Sequence, residues 1–372
     1  MKLKKNTNLE IYLFNIERGL SILCKTPQNH VLIYDLGSRK DFSPIKDVYN
    51  SNDFFADMTE YSNGKIIAQT IISHPHLDHI SDLTDDNATF IKENSALITC
   101  QNDKEEKKDD SNYNKSGHKI DFSLINNPGD DCKQIENFKN LYSERSLPLV
   151  TMNSDIDGLD FKFGYYYLTH KQIDEHIRSA RARKDYYDDY SENEKQDYTN
   201  SLSIVLYFYY CGNSILIPGD ITPWAFEEIL KGNCEKRFTN YKKNKSDETR
   251  QNWTSKTCDQ PKLGALLQQG LTFLIAPHHG LESGYCQYLF DLLGEKKPEV
   301  ILISEKSEST NSGSVTDQYQ NGTCSNGIIL KKTNEKRWSL TTRNDGNIKI
   351  TITPSSKSDI SVYSNYKDCF YE

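Results

Sequence analysis

The chain has no long apolar run, no paired cysteines and no excess of positive charge. Of its 372 residues, 36% are hydrophobic and 26% charged. No stretch approaches the roughly eighteen apolar residues of a membrane-spanning helix, so a polar, soluble chain with no membrane partner is expected. Nine cysteines are scattered singly, an odd number without a Cys-x-x-Cys pair. That argues against a disulfide framework and against a zinc ribbon. The basic start, residues 1–7, runs into a strand-like pattern rather than an apolar signal core, which reads as a cytoplasmic protein. A formal net charge of −8 gives no global case for nucleic-acid binding. Any such case rests on local patches.

What the chain does have is Ser73-His74-Pro75-His76-Leu77-Asp78-His79. Three histidines and an aspartate follow an apolar, β-branched run, Lys65 to Ile72, that reads as a buried strand. Imidazole nitrogen and carboxylate oxygen are ligands that zinc takes at about 2.0–2.2 Å. The spacing is too tight for one helix face and suits two adjacent metals sharing a loop.

Other polar residues also stand at strand ends. Val31 to Tyr34 ends in Asp35-Leu36-Gly37, and the strand Ser214 to Pro218 ends in Gly219-Asp220. The strand Leu271 to Ala276 ends in Pro277-His278-His279-Gly280. His170 closes a tyrosine-rich strand, either as a ligand or stacked on those rings. Arg178, Arg181 and Lys184 recur at helical spacing and could line one basic face, partly cancelled by the acidic stretch 185–194. Lys242, Lys243, Lys245 and Arg250 lie near Trp253, a composition able to contact nucleic acid.

The His-x-His-x-Asp-His run, the Asp-x-Gly, the Gly-Asp and the Pro-His-His-Gly, in this order, resemble the metallo-β-lactamase fold superfamily and its ComEC-type domains. The chain departs from that pattern in places, with Pro218 where threonine is usual and no histidine between Glu305 and Asn326. The turn Ile16-Glu17-Arg18-Gly19-Leu20 keeps only the glycine, and Leu281 stands where serine is usual. The resemblance implies an α/β fold, a four-layered αββα sandwich of two mixed β-sheets flanked by helices. The domain would span 1–353, with polar insertions at about 101–158, 171–199 and 232–262 and a polar tail at 354–372.

The resemblance also implies two divalent metal ions, zinc first and manganese as the alternative. One would sit on His74 and His76, the other on Asp78, His79 and His278, with Asp220 bridging. Asp35 would brace the histidine loop. The third ligand of the first metal stays open between His170 and Asn200, and His278 and His279 could exchange roles. Asp78 would orient a hydroxide shared by the metals, and His279 would protonate the leaving group. Asn200, Arg178 and Arg181 are candidate substrate contacts. The expected activity is that of a phosphodiesterase or nuclease acting on nucleic acid or a nucleotide. The alternatives are a small-molecule hydrolase of cyclic nucleotides, thioesters or lactones, and a metal-stabilised module that binds a protein partner through its insertions.

Overall fold

Short β-branched and aromatic runs bounded by turns build two sheets. The computed structural model describes residues 7–50, 64–100, 132–143, 161–181, 190–240, 261–305, 316–323, 326–355 and 357–370. In chain order the strands are β1 Leu9–Leu13, β2 Ile22–Lys25, β3 Val31–Tyr34, β4 Ile67–Ile71, β5 Ser95–Thr99, β6 Phe161–Tyr167, β7 Val205–Tyr210 and β8 Asn213–Ile217. They continue with β9 Glu235–Asn240, β10 Phe273–Ile275, β11 Val300–Ile303, β12 Ile328–Ile329, β13 Lys336–Arg337, β14 Ser339–Thr341, β15 Asn347–Ile352 and β16 Ser358–Tyr363. The first sheet runs β16-β15-β1-β2-β3-β4-β5 and the second β14-β11-β10-β8-β7-β6-β9. Both are mixed. The antiparallel part of each gives way to parallel pairing, at β3-β4-β5 in one and β8-β10-β11-β14 in the other.

Side-chain alternation assigns the faces. Leu9, Ile11 and Leu13 of β1 join Phe161, Phe163 and Tyr165 of β6 and Leu206 and Phe208 of β7 in one apolar cluster between the sheets. Their neighbours Tyr12, Tyr166, Val205 and Tyr207 turn the other way, into a cluster shared with the helices. This period of two is what a strand buried on both faces requires. Each such burial contributes about 1.5–3 kcal/mol. The arrangement is compatible with a two-sheet sandwich. The Tyr34 hydroxyl ties the sheets by donating to the Ile204 carbonyl at 2.6 Å.

Ten α-helices are present among the described residues: α1 Leu77–Ile80, α2 Asp85–Asn94, α3 Lys133–Ser143, α4 His170–Ala180, α5 Glu192–Ser201, α6 Pro223–Lys231, α7 Leu263–Leu267, α8 Gln287–Leu293, α9 Thr316–Asn321 and α10 Thr342–Asp345. The expected insertion 171–199 carries α4 and α5, each begun by a capping box, Thr169 with Gln172 and Ser191 with Glu194. The expected insertion 232–262 begins inside the second sheet, since β9 pairs with β6. Lys242, Lys243, Lys245, Arg250, Trp253 and Lys184 lie outside the described residues, as does most of 101–158.

The polar tail expected from residue 354 is a correction. Residues 358–363 form β16, antiparallel to β15 with Ile360 opposite Ile350. Ile360 is fully buried. No disulfide joins the cysteines among the described residues, and no helix there is long and apolar enough to cross a membrane.

Candidate metal centre

Parallel strands leave their carboxyl ends open, and residues beyond those ends can converge. Asp35 follows β3, the stretch 73–79 follows β4, Asp220 follows β8, His278 and His279 follow β10, and Ser304 follows β11. From the first sheet, Asp35 is fully buried in a left-handed backbone conformation, φ 60°. One of its carboxylate oxygens accepts the Ser73 N–H at 2.6 Å. The other accepts the Ser73 hydroxyl at 2.7 Å and meets His79 Nδ1 at 2.7 Å. His79 Nε2 is thereby aimed at Asp220, 3.1 Å from Oδ1. Nδ1 of His74 lies against the hydroxyls of Ser73 (3.0 Å) and Ser203 (3.4 Å), while its Nε2 meets His76 Nδ1 at 3.0 Å.

From the second sheet, Gly219 adopts φ 63°, and a side chain there would meet the Tyr34 hydroxyl. The turn delivers Asp220, whose N–H donates to the Ser203 hydroxyl at 3.2 Å. Nε2 of His279 lies 3.3 Å from Asp220 Oδ2 and 3.4 Å from Asp78 Oδ2, and its Nδ1 meets the Ser304 carbonyl at 3.1 Å. Nε2 of His278 lies 3.7 Å from Asp220 Oδ2, and its Nδ1 meets the Ser283 hydroxyl at 2.8 Å. A protein oxygen thus orients Nδ1 on four of the five imidazoles, the device that fixes the tautomer of metal-ligating histidines.

The charges are arranged in two sets. Burial opposes protonation of His79, but Asp220 and Asp35 outweigh it and hold its pKa well above the ordinary value. In His279, burial is likewise outweighed by Asp220 and Asp78, and the pKa is pushed up to about 9. Burial would raise Asp220, yet the histidines 279, 79 and 278 hold it well below the usual carboxylate range. Burial lowers His74, His278 and His76, the last to about 4. Three imidazoles are therefore neutral near pH 7, and two are paired with carboxylates.

Two groups of side chains bring ligand atoms within 4.8 Å of one another: His74, His79 and Asp220, and Asp78, His79 and His279. Nε2 of His79 and Nε2 of His279 are buried and complete no hydrogen bond, although carboxylate oxygens lie 3.1 to 3.4 Å away. Buried polar atoms are rarely left so. A divalent cation facing both nitrogens and the carboxylates would satisfy them, so the donor set fits a metal.

The expected site residues thus fall into two classes. His74, His76, Asp78, His79, Asp220, His278 and His279 converge, with Asp35 behind them. His279, expected to handle protons or to exchange roles with His278, lies in the group with Asp78 and His79, with both nitrogens facing protein oxygens. His170 is in neither ligand group. It begins α4, with Nδ1 3.4 Å from the Tyr198 hydroxyl. Asn200 is buried at the end of α5, three residues before Ser203. Arg178 pairs with Asp174 at 2.9 Å and Arg181 with Glu194 at 2.7 Å, both guanidinium groups lying over Tyr190. The expected basic face is thereby largely neutralised.

Sequence reasoning passed over the supporting serines 73, 203, 283 and 304, and also Arg18. Arg18 Nε lies 3.4 Å from Asp78 Oδ2 and its side chain is 66% exposed. The neighbouring Gly19, at φ 109°, packs so closely on the Asp78 carbonyl that a methyl group would collide with it. The Ser304 hydroxyl pins the same turn by donating to the Gly19 carbonyl at 2.6 Å. The retained glycine was the available signal. Compared with known proteins, the chain matches no family model and no curated protein.

Proposed function

We propose that this chain is a metal-dependent hydrolase of the metallo-β-lactamase type, acting as a phosphodiesterase on nucleic acid or a nucleotide. The observation that carries the reading is the convergence of five imidazoles and two carboxylates, from three separate segments, around buried nitrogens without hydrogen bonds. Asp78, His79, His279, His74, His76 and Asp220 would hold two divalent ions, zinc or manganese. When bound, such ions supply Lewis acidity that acidifies water and offsets charge growing on a phosphoryl oxygen.

The chain's own groups do the rest. Asp35, Ser73 and Ser304 keep His79 and His279 in one tautomer and orientation. Asp78 is the carboxylate open to solvent, with 24% of its side chain exposed against 4% for Asp220. It is placed to orient the attacking water. Arg18, on the solvent side of Asp78, supplies a planar donor fork suited to a phosphate. This cation at the mouth favours an anionic substrate over a neutral lactone.

The test is a substrate panel of single-stranded DNA, RNA, cyclic nucleotides, a thioester and a lactone, with Mn²⁺ or Zn²⁺. Phosphodiester cleavage that is abolished in Asp220→Asn is the expected result. Turnover of the thioester or lactone with no phosphodiester cleaved would overturn the proposal.

A further inference from the structure

We infer that the β12–β13 hairpin is a docking surface for a single nucleic-acid strand whose reacting phosphate lies in the cradle. The inference rests on the hydrolase reading above and narrows its substrate to a polynucleotide. Between Leu330 and Trp338 the chain reads Lys331-Lys332-Thr333-Asn334-Glu335-Lys336-Arg337. Arg337 is neutralised by Asp345 through two hydrogen bonds of 2.9 and 3.1 Å. Lys331, Lys332 and Lys336 are exposed. Among the described residues no carboxylate lies within ion-pair distance of Lys331 or Lys336. Lys332 Nζ lies 3.9 Å from the centre of the Tyr363 ring, and Lys336 Nζ 5.4 Å from that of Trp338. A ring face attracts a cation and orients it without cancelling its charge. Arg178 and Arg181 differ, because their carboxylate partners do cancel theirs. In a chain of net charge −8 the hairpin is a local basic patch.

The fold puts this patch at the cradle's end of the molecule. β15 runs antiparallel to both β1 and β16, with Leu13 opposite Ile348 and Tyr363 opposite Asn347. The Tyr363 end of β16 therefore lies on the same side as the end of β1 that leads into the Arg18 turn. Asn15 N–H donates to Asn347 Oδ1 at 2.9 Å, and Asn347 Nδ2 donates to the Tyr363 carbonyl at 3.3 Å. The hairpin extends that edge. Leu330 bridges Ile360 in parallel, and Lys331 N–H donates to the Ile360 carbonyl at 3.0 Å. Four chains abreast, at about 4.8 Å per step, place the hairpin roughly 14 Å from β1. A stacked strand advances about 3.4 Å per nucleotide, so about four nucleotides cover that distance. Arg18, beside Asp78, marks the near end of the path. Ile329 faces Lys336 across the hairpin and is 58% exposed, giving apolar surface for a sugar or base beside the phosphate contacts. One isoleucine is too little apolar area to hold a bilayer, so a strand of phosphates is the better match.

Binding without cleavage tests the surface. Fluorescence anisotropy follows labelled oligothymidylates and oligouridylates of two, four, eight and twelve nucleotides on the full chain in chelator. Ca²⁺ replaces the chelator if melting shows the stripped chain unfolded. Affinity should rise with length from the dimer to the octamer. Each phosphate neutralised contributes about 0.7 to the slope of log affinity against log salt. Lys331→Gln, Lys332→Gln and Lys336→Gln together should lower that slope by about 2 and weaken the octamer about tenfold or more at low salt. The same three positions changed to arginine should keep both. The dimer, too short to reach the hairpin, should bind wild type and the glutamine variant equally. Equal affinity for all lengths, or a glutamine variant indistinguishable from wild type, would overturn the inference. So would binding to phosphatidylglycerol vesicles but to no oligomer of either sugar. Length-dependent binding that the glutamine variant loses, with no phosphodiester cleaved by metal-loaded wild type, would overturn the hydrolase reading and leave the docking surface standing.

Discussion

Asp35→Asn is the most informative single change, because it alters one proton and almost no volume. Asparagine accepts the left-handed backbone that Asp35 occupies. Its carbonyl can still receive the Ser73 N–H. Its NH₂ group, however, now faces His79 Nδ1, where a carboxylate oxygen stood at 2.7 Å. To avoid a donor–donor clash, the imidazole must carry its proton on Nε2. That atom points at Asp220 and is the one a metal needs unprotonated. Disturbing such an outer partner costs about 10–100-fold in metal affinity, equivalent to about 1.4–2.7 kcal/mol. Calorimetric titration with Zn²⁺ or Mn²⁺ should therefore resolve one weakened and one near-normal ion. In chelator, the variant loses one charge-assisted hydrogen bond, worth about 1.5–3 kcal/mol. Both ions bound at wild-type affinity would refute the claim that Asp35 sets the His79 tautomer.

Three further outcomes are expected. Gly19→Ala should cost about 1–3 kcal/mol in urea unfolding and weaken metal binding, because the methyl group meets the Asp78 carbonyl on a φ of 109°. Asp82 is 2% exposed, and burial pushes its pKa up to about 7, against about 3.9 unfolded. Its contribution to stability is full below about pH 4 and lost as pH rises through 7, on the order of 4 kcal/mol in all. Asp82→Asn should therefore flatten the fall in unfolding free energy between about pH 4 and 7, whereas an unchanged slope would count against it. Ile360→Ala should cost about 2–5 kcal/mol by cavity formation. Truncation after residue 353 should cause aggregation, measurable by light scattering, because it bares the β15 edge.

The ligand blocks were legible because each follows a short β-branched strand, and a strand end is rigid. Asp35, Asp78 and Asp220 stood out by that position, and the resemblance supplied the roles expected of them. What spacing does not carry is rotation about the chain. The left-handed turn at His278 and His279 sends both rings towards one carboxylate, a convergence that spacing along the chain does not encode. Arg178 and Arg181 looked like a free basic face because their partners, Asp174 and Glu194, neutralise them only once α4 and α5 are packed. β16 was read as tail because Ser358, Asp359 and Ser361 mask the alternation of Ile360, Val362 and Tyr363. Its strand character comes from pairing with β15 rather than from its own residues.

The two halves of the cradle hang from different sheets: His74 to His79 from β4, and Asp220, His278 and His279 from β8 and β10. Away from this point the layers meet mainly through apolar side chains, with a few hydrogen bonds such as that of Tyr34 to Ile204. Any ion gripped there rivets one layer to the other, joining positions roughly two hundred residues apart in the chain and resisting their separation in proportion to the logarithm of its concentration. A clasp proposed for chemistry would thus also be a fastener for the whole molecule.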